Sequence, residues 1–281
     1  MSPDTGLTAD APLPTTAVPQ RVPALSYFFP AHDEAENIEA LVAEALVELP
    51  RLADTFEIIA VNDGSKDTTG ALADALAAAH PGVVRAVHHP VNQGYGAALR
   101  TGFGASRHPL VCFTDGDRQF KVADLGRLLE RMAQPTRRAG ETTPDVVVGY
   151  RIKRADPPIR TAYARTYRAC LRLFFGLNVK DVDCACKLFQ RDALKGINLE
   201  SGGAFLSAEL LIKLGVSGRT IVEVGIPHYP RTAGSATGAR PSVVFRAVRD
   251  FWSLRLRLWR KRDEALERGS PVLRTDVAGE S

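Results

Sequence analysis

Two carboxylates stand two residues apart in Asp115-Gly116-Asp117, directly behind an apolar run, with a glycine between them to permit a tight bend. Paired hard oxygens of this kind grip Mg2+ or Mn2+. Such a metal completes its shell with water and substrate phosphates, which is how a diphosphate leaving group is neutralised. Gln119 adds a further oxygen ligand on the same turn. Three more polar clusters have the same setting behind apolar runs: His32-Asp33-Glu34, Asp63-Gly64-Ser65 and Asn92-Gln93-Gly94. The last continues into Tyr95-Gly96, a glycine-tipped helix start that could approach a phosphate through backbone N–H groups or serve as a packing turn. The third glycine of a dinucleotide fingerprint is missing, and the run follows the third strand instead of the first, which argues against a Rossmann oxidoreductase. Cys184 and Cys186 form a C-x-C, but no second cluster with zinc-like spacing accompanies it.

The elements that must position these residues follow from the apolar pattern. Runs at 25–30, 56–62, 83–88 and 109–115 are expected as buried strands, each followed by a helix, at 36–49, 67–79, 95–106 and 122–132. Ser65 or Asp67 can cap the second helix. Strand then helix, four times, implies a parallel sheet, with a fifth strand at 145–149 and irregular spacing beyond it. Ligands of open α/β sheets sit at the carboxyl ends of the strands, so all four polar clusters converge on one crevice. The expected organisation is a tail over 1–22, one α/β domain over 23–240, a basic amphipathic helix over 241–262 and a flexible tail over 263–281.

The chain of 281 residues is 45% hydrophobic and 24% charged, enough for a core that buries about three-quarters of the unfolded surface without disulfide staples. Four cysteines with no secretory leader ahead of them fit a reducing cytoplasm, and no apolar run approaches the ~18 residues of a membrane-spanning helix. Residues 241–262 hold seven cations against Asp250 alone, a charge of +6 within a chain of net +4, which leaves −2 elsewhere. That asymmetry speaks against a nucleic-acid-binding face and for one local anionic partner. Phe245, Val248, Trp252, Leu256 and Trp259 recur there at helical spacing, with arginines 246, 249, 255, 257 and 260 flanking or opposing them. A basic helix with tryptophan on its apolar side suits the headgroup boundary of an anionic membrane. Packing of the stripe on the sheet or on a second subunit is the other use of such a pattern.

Six blocks carry a resemblance to a known family: 29–38, 61–67, 92–102, 114–120, 181–189 and His228-Tyr229-Pro230-Arg231-Thr232-Ala233-Gly234. The chain resembles family 2 glycosyltransferases of the GT-A fold, and among them the polyprenyl-phosphate sugar synthases related to dolichyl-phosphate mannose synthase. The likeness runs from residue 25 to about 237. It implies a Rossmann-like, mostly parallel sheet with flanking helices. By position it places Pro30, His32, Glu34 and Asp63 at the nucleotide base and ribose, and Asp115, Asp117 and Gln119 at the metal and diphosphate. Arg151 and Arg231 match arginines near the diphosphate and the acceptor phosphate. The chain departs from the family in carrying His32-Asp33-Glu34 for Tyr-Asn-Glu, Arg118 for a glycine, and no lysine after Arg231-Thr232-Ala233-Gly234-Ser235.

The implied activity is an inverting, metal-dependent transfer of a sugar from a nucleotide diphosphate to a polyprenyl phosphate, performed from the cytoplasmic membrane surface. A phosphate monoester has a second pKa of about 6, so most of it is a nucleophilic dianion at neutral pH and needs no base. Transfer to a saccharide or small-molecule hydroxyl would need one, and Glu209, on an expected helix, lies where hydroxyl-glycosylating relatives carry theirs. A catalytically silent nucleotide-sugar-binding or membrane-docking module is the reading from another class, and no feature specifies an oligomeric state.

Overall fold

The computed structural model describes residues 21–136, 142–152, 158–203, 205–231 and 241–267. The expected tails over 1–22 and 263–281 lie outside the described residues except at their inner ends, where residues 21 and 22 lead into the first strand and residues 263–267 continue the last helix.

The first half of the chain alternates as its pattern predicts. β1 (Val22–Ala31), β2 (Ala53–Asp63), β3 (Val84–His89) and β4 (Leu110–Phe113) are separated by α1 (Ala35–Leu52), α2 (Thr69–Ala79) and α3 (Tyr95–Ala105), and α4 (Leu125–Ala133) follows β4. β1 is buried without a break from Leu25 to Ala31 because helices cover both faces of a parallel sheet. α1 turns Ile38, Leu41, Val42, Ala45 and Leu49 inward at helical spacing. Asp67 caps α2 from just outside it, accepting the Thr69 N–H at 2.9 Å.

The second half, irregular in sequence, consists of β5 (Val146–Arg151), α5 (Pro158–Phe175), β6 (Lys187–Gln190), α6 (Leu206–Val216), β7 (Ile221–Ile226) and α7 (Pro241–Glu267). The seven strands run in the order β3-β2-β1-β4-β6-β5-β7. All neighbours are parallel except at β6, which runs antiparallel to both β4 and β5. Strand order reverses between β1 and β4, the switch point at which open α/β sheets place their ligands. Phe28, Phe103, Phe113 and Phe189 fill the core beneath it, with ring centroids 5.0 to 6.2 Å apart. Aromatic pairs at this spacing contribute about 0.5–1.5 kcal/mol each beyond their buried area.

α7 continues five residues past its expected end at 262. It lies on the domain through buried Phe251 and Leu254, with Phe251 packed against Phe175 at 4.9 Å and Phe205 at 5.9 Å. Arg257 joins Glu200 at 3.0 Å. The stripe read from the sequence is a different line on the helix: Phe245, Val248, Trp252, Leu256 and Trp259 are all exposed, Phe245 to 75%, although Trp252 also packs one edge against Phe174 of α5 at 5.2 Å. Leu173 of α5 is exposed as well. No helix among the described residues is long and apolar enough to cross a membrane.

Candidate active site

The loops after β1, β2, β3 and β4 meet at the switch point and are stitched to one another. Asp63, the last residue of β2, accepts hydrogen bonds from His89 Nδ1 at 2.6 Å, Gln93 N at 2.9 Å and Gly94 N at 2.8 Å. The other ring nitrogen of His89 is hydrogen-bonded to the Thr101 hydroxyl at 2.8 Å. His32 Nδ1 donates to the Asp63 carbonyl at 2.9 Å, which joins the first loop to the second. Asp33 takes the left-handed backbone at φ 56°, where Asn and Asp are the side chains best tolerated, so Asp33 replaces the family's Asn without strain. Glu34 holds Asn37 Nδ2 at 2.6 Å, and burial raises its carboxyl although Asn37 opposes that effect.

The acidic turn crosses directly in front of β1. A Cβ on Gly116 would lie 2.8 Å from the Pro30 carbonyl oxygen, so only glycine lets the two strand ends approach this closely. Asp115 is half-buried and accepts the Tyr95 hydroxyl at 2.9 Å. Burial first, and then the negative charge of Asp117, push its carboxyl up to about 6. Asp117 is 6% exposed; one oxygen accepts the Gln119 N–H at 3.1 Å and the other accepts Arg231 Nη2 at 2.6 Å. The same nitrogen reaches Gln119 Oε1 at 3.4 Å. Gln119 and Tyr229 bind each other twice, from Tyr229 N to the Gln119 carbonyl at 3.0 Å and from Gln119 Nε2 to the Tyr229 carbonyl at 3.3 Å. Arg118, where the family has glycine, adopts φ 59°, the conformation for which glycine is preferred, and its Nε is buried without a partner.

These residues suit a divalent cation. Burial and, after it, the charge of Asp117 hold the Asp115 carboxyl up, and a cation between the two would favour the ionised form of both. Among the described residues no group of three His, Cys, Asp or Glu side chains forms a ready cage. The cation would draw on the acidic pair, Gln119, water and donor phosphates, as Mg2+ ordinarily does. Cys184 and Cys186 are buried free thiols, with Cys184 pushed up to about 12 by burial, so the C-x-C is core packing.

Three of the candidate residues are engaged by other groups of the protein. Glu209 is fully buried and accepts the N–H groups of Glu200 at 3.0 Å and Ser201 at 2.7 Å, with Lys213 Nζ at 2.6 Å. Burial alone would raise its carboxyl, but Lys213 and these N–H groups outweigh that and hold it below the usual range. It therefore anchors the 200–203 loop; that loop presses on α3, where a Cβ on Gly96 would lie 2.6 Å from the Ser201 oxygen. Arg151 forks on Asp181, at 2.6 and 2.8 Å, and ties the end of β5 to the segment ahead of β6. Asp63 accepts from the 92–94 turn through both oxygens and from His89, and so ties the ends of β2 and β3 together at the crevice wall.

Two further residues at the site, Tyr95 and Lys187, lie inside the 92–102 and 181–189 blocks, which give them no role of their own. Tyr95 reaches Asp115 across 20 residues, a pairing that no local signal reveals. Lys187, fully buried at the start of β6, donates to the Cys184 carbonyl and lies over the Phe113 ring. A lone cation opening an apolar strand is the trace it leaves in the sequence.

Comparison with known proteins gives matches over the same region. The profile of Glycosyl transferase family 2 matches residues 26–197. A dolichyl-phosphate β-glucosyltransferase of Trichomonas vaginalis is 31% identical over 66% of this chain, which spans 56% of that relative's length. Polyprenol monophosphomannose synthase of Mycolicibacterium smegmatis is 28% identical over 83% of this chain and 88% of its own. Among solved structures, glucosyl-3-phosphoglycerate synthase of Mycobacterium tuberculosis in complex with Mn2+, UDP and phosphoglyceric acid superposes with a TM-score of 0.59 at 19% identity. The superposition covers 83% of this chain and 78% of that one, a likeness of fold.

Proposed function

This chain belongs to glycosyltransferase family 2 and has the GT-A fold, and from that premise we propose that it transfers a sugar, with inversion, from a nucleotide diphosphate to a polyprenyl phosphate at an anionic membrane surface. The relatives named as dolichyl-phosphate and polyprenol enzymes support this acceptor class. The observation that carries it is the sealing of Glu209, whose oxygens are occupied by two backbone N–H groups and Lys213. A hydroxyl acceptor requires a base to take its proton, whereas a phosphate dianion requires only a cation to hold it. Arg231 supplies that cation at the acidic turn.

Asp115, Asp117 and Gln119 would hold Mg2+ or Mn2+, which when bound offsets the charge of the departing diphosphate. His32 and Glu34, in the loop after β1, would face the donor beside the acidic turn, Glu34 Cγ lying 3.7 Å from where a Cβ on Gly116 would stand. The acceptor oxygen attacks the anomeric carbon from the side away from the diphosphate, which inverts the configuration. The exposed stripe of α7 with its arginines holds the domain on the cytoplasmic face of the membrane, where the lipid phosphate lies. Retention of both acidic residues speaks against a silent binding module.

The test is a panel of nucleotide sugars offered with short-chain polyprenyl phosphate and Mn2+ or Mg2+, with products read by mass and anomeric configuration by NMR. An inverted glycosyl phosphate supports the reading; no product from any donor, or retained configuration, contradicts it.

A further inference from the structure

Arg231 draws on the same oxygens that a divalent cation would use. Its Nη2 lies 2.6 Å from Asp117 Oδ2 and 3.4 Å from Gln119 Oε1, the donors that the acidic turn adds to Asp115. The other Asp117 oxygen already accepts the Gln119 N–H. Arg231 is delivered to this position by built structure: Tyr229, two residues before it, is bonded twice to Gln119, and its ring carries Lys121 Nζ at 4.5 Å. Asp117 is only 8% exposed along its side chain, and a carboxylate this far from water requires a counter-charge.

We infer that Arg231 is the resident counter-cation of Asp117, and that it must leave Asp117 before the acidic pair takes Mg2+ or Mn2+. Metal loading and release of the guanidinium toward an incoming phosphate are then one exchange. The inference rests on the reading that the acidic pair takes a divalent cation. Because coupling free energies are reciprocal, a phosphate monoester that captures Arg231 frees Asp117 and tightens metal binding. The donor–metal complex and the acceptor thus promote one another, and in the free enzyme the buried Asp117 is not left without a counter-charge.

The exchange predicts an effect opposite in sign to that of an ordinary site residue. Mn2+ binding to the full chain is measured by loss of the free-ion EPR signal, with no nucleotide present. Arg231→Met should bind Mn2+ about five- to tenfold tighter than wild type, the yield of freeing a partly buried pair. Dimethylallyl phosphate, a soluble prenyl monophosphate, should tighten Mn2+ binding to wild type severalfold and leave Arg231→Met unchanged, after correction for its own complex with the ion. In turnover, Arg231→Met should lower the metal concentration needed while raising the acceptor KM. Equal or weaker Mn2+ affinity in a folded Arg231→Met overturns the exchange alone. If that variant fails to fold, absence of the phosphate effect in wild type overturns it. Absence of Mn2+ binding in every protein, Asp117→Asn serving as the control, removes the metal reading and the exchange with it.

Discussion

Replacing Glu209 by glutamine separates a structural carboxylate from a catalytic one. The wild-type side chain accepts from Glu200 N at 3.0 Å, Ser201 N at 2.7 Å and Lys213 Nζ at 2.6 Å, and is fully buried. Glutamine keeps one acceptor oxygen and turns an NH2 toward groups that are themselves donors. At least one hydrogen bond to a charged partner is lost, and the Lys213 ammonium keeps only its contacts to Asn198 and Glu200. Losing such partners in a buried pair costs about 3 kcal/mol, which corresponds to a fall in Tm of about 6 to 10 °C for a domain of this size. The carboxyl is held below its usual range, so its contribution is complete above the unfolded value of about 4.5 and disappears as pH falls through the folded one. The Tm gap between wild type and variant should therefore persist from pH 5 to 8 and close in more acid solution. At a temperature where the variant is folded, transfer to polyprenyl phosphate should fall by no more than about tenfold, mainly in donor KM, because the 200–203 loop supports the start of α3. Thermal melts and initial rates on the same preparations decide the matter. An unchanged Tm with kcat reduced a thousandfold or more, the scale of a lost general base, would refute the reasoning.

Asp115→Asn should raise the Tm of the metal-free protein at pH 7.5 by about 2 to 4 °C, since the raised carboxyl costs the folded state on the order of 1 kcal/mol once ionised. It should also abolish Mn2+ binding, and wild-type Mn2+ affinity should decline as pH falls through about 6, where Asp115 takes up a proton; titration calorimetry reads both. At Arg118, with φ 59°, glycine should leave stability within about 0.5 kcal/mol of wild type, relief of strain offsetting the added unfolded-chain entropy, whereas valine should cost about 1–2 kcal/mol in urea melts. Trp252→Glu with Trp259→Glu should abolish salt-sensitive sedimentation with anionic liposomes while keeping a folded domain, because these side chains are 48% and 56% exposed. Undiminished sedimentation would assign the stripe to another partner.

The first four strand–helix pairs are legible in the sequence because a sheet covered on both faces writes its central strands as unbroken apolar runs, as in Leu25–Ala31 of β1; β3, expected to be buried, is an edge strand in which only Val84 and His89 are buried. The second half is not legible in this way. β6 is four residues long, opens with Lys187 and runs against its neighbours, so neither alternation nor length marks it. The acidic turn was legible from its position after a buried strand. The partners that decide what its neighbours do were not, since Arg151 meets Asp181 across 30 residues and Arg231 meets Asp117 across 114. Glu209 is an intermediate case. Lys213, four residues on, gives the spacing of a helical ion pair, but the N–H groups of Glu200 and Ser201 that seal the carboxylate leave no trace in side-chain pattern. α7 carries two apolar lines, and spacing alone could not tell that Phe251 and Leu254 pack on the domain while the tryptophans face outward.

The central claim, that the acceptor is a phosphate activated by its own charge, is tested most directly by competition between two lipids that differ only in that group. Equal amounts of a short-chain polyprenyl phosphate and the corresponding polyprenol are incubated with wild-type protein, Mn2+ and the nucleotide-sugar panel, and the lipid products are weighed by mass spectrometry. The account predicts sugar mass on the phosphorylated lipid alone, undiminished by the presence of the alcohol. Sugar appearing on the polyprenol, or on no lipid with any donor, would contradict it.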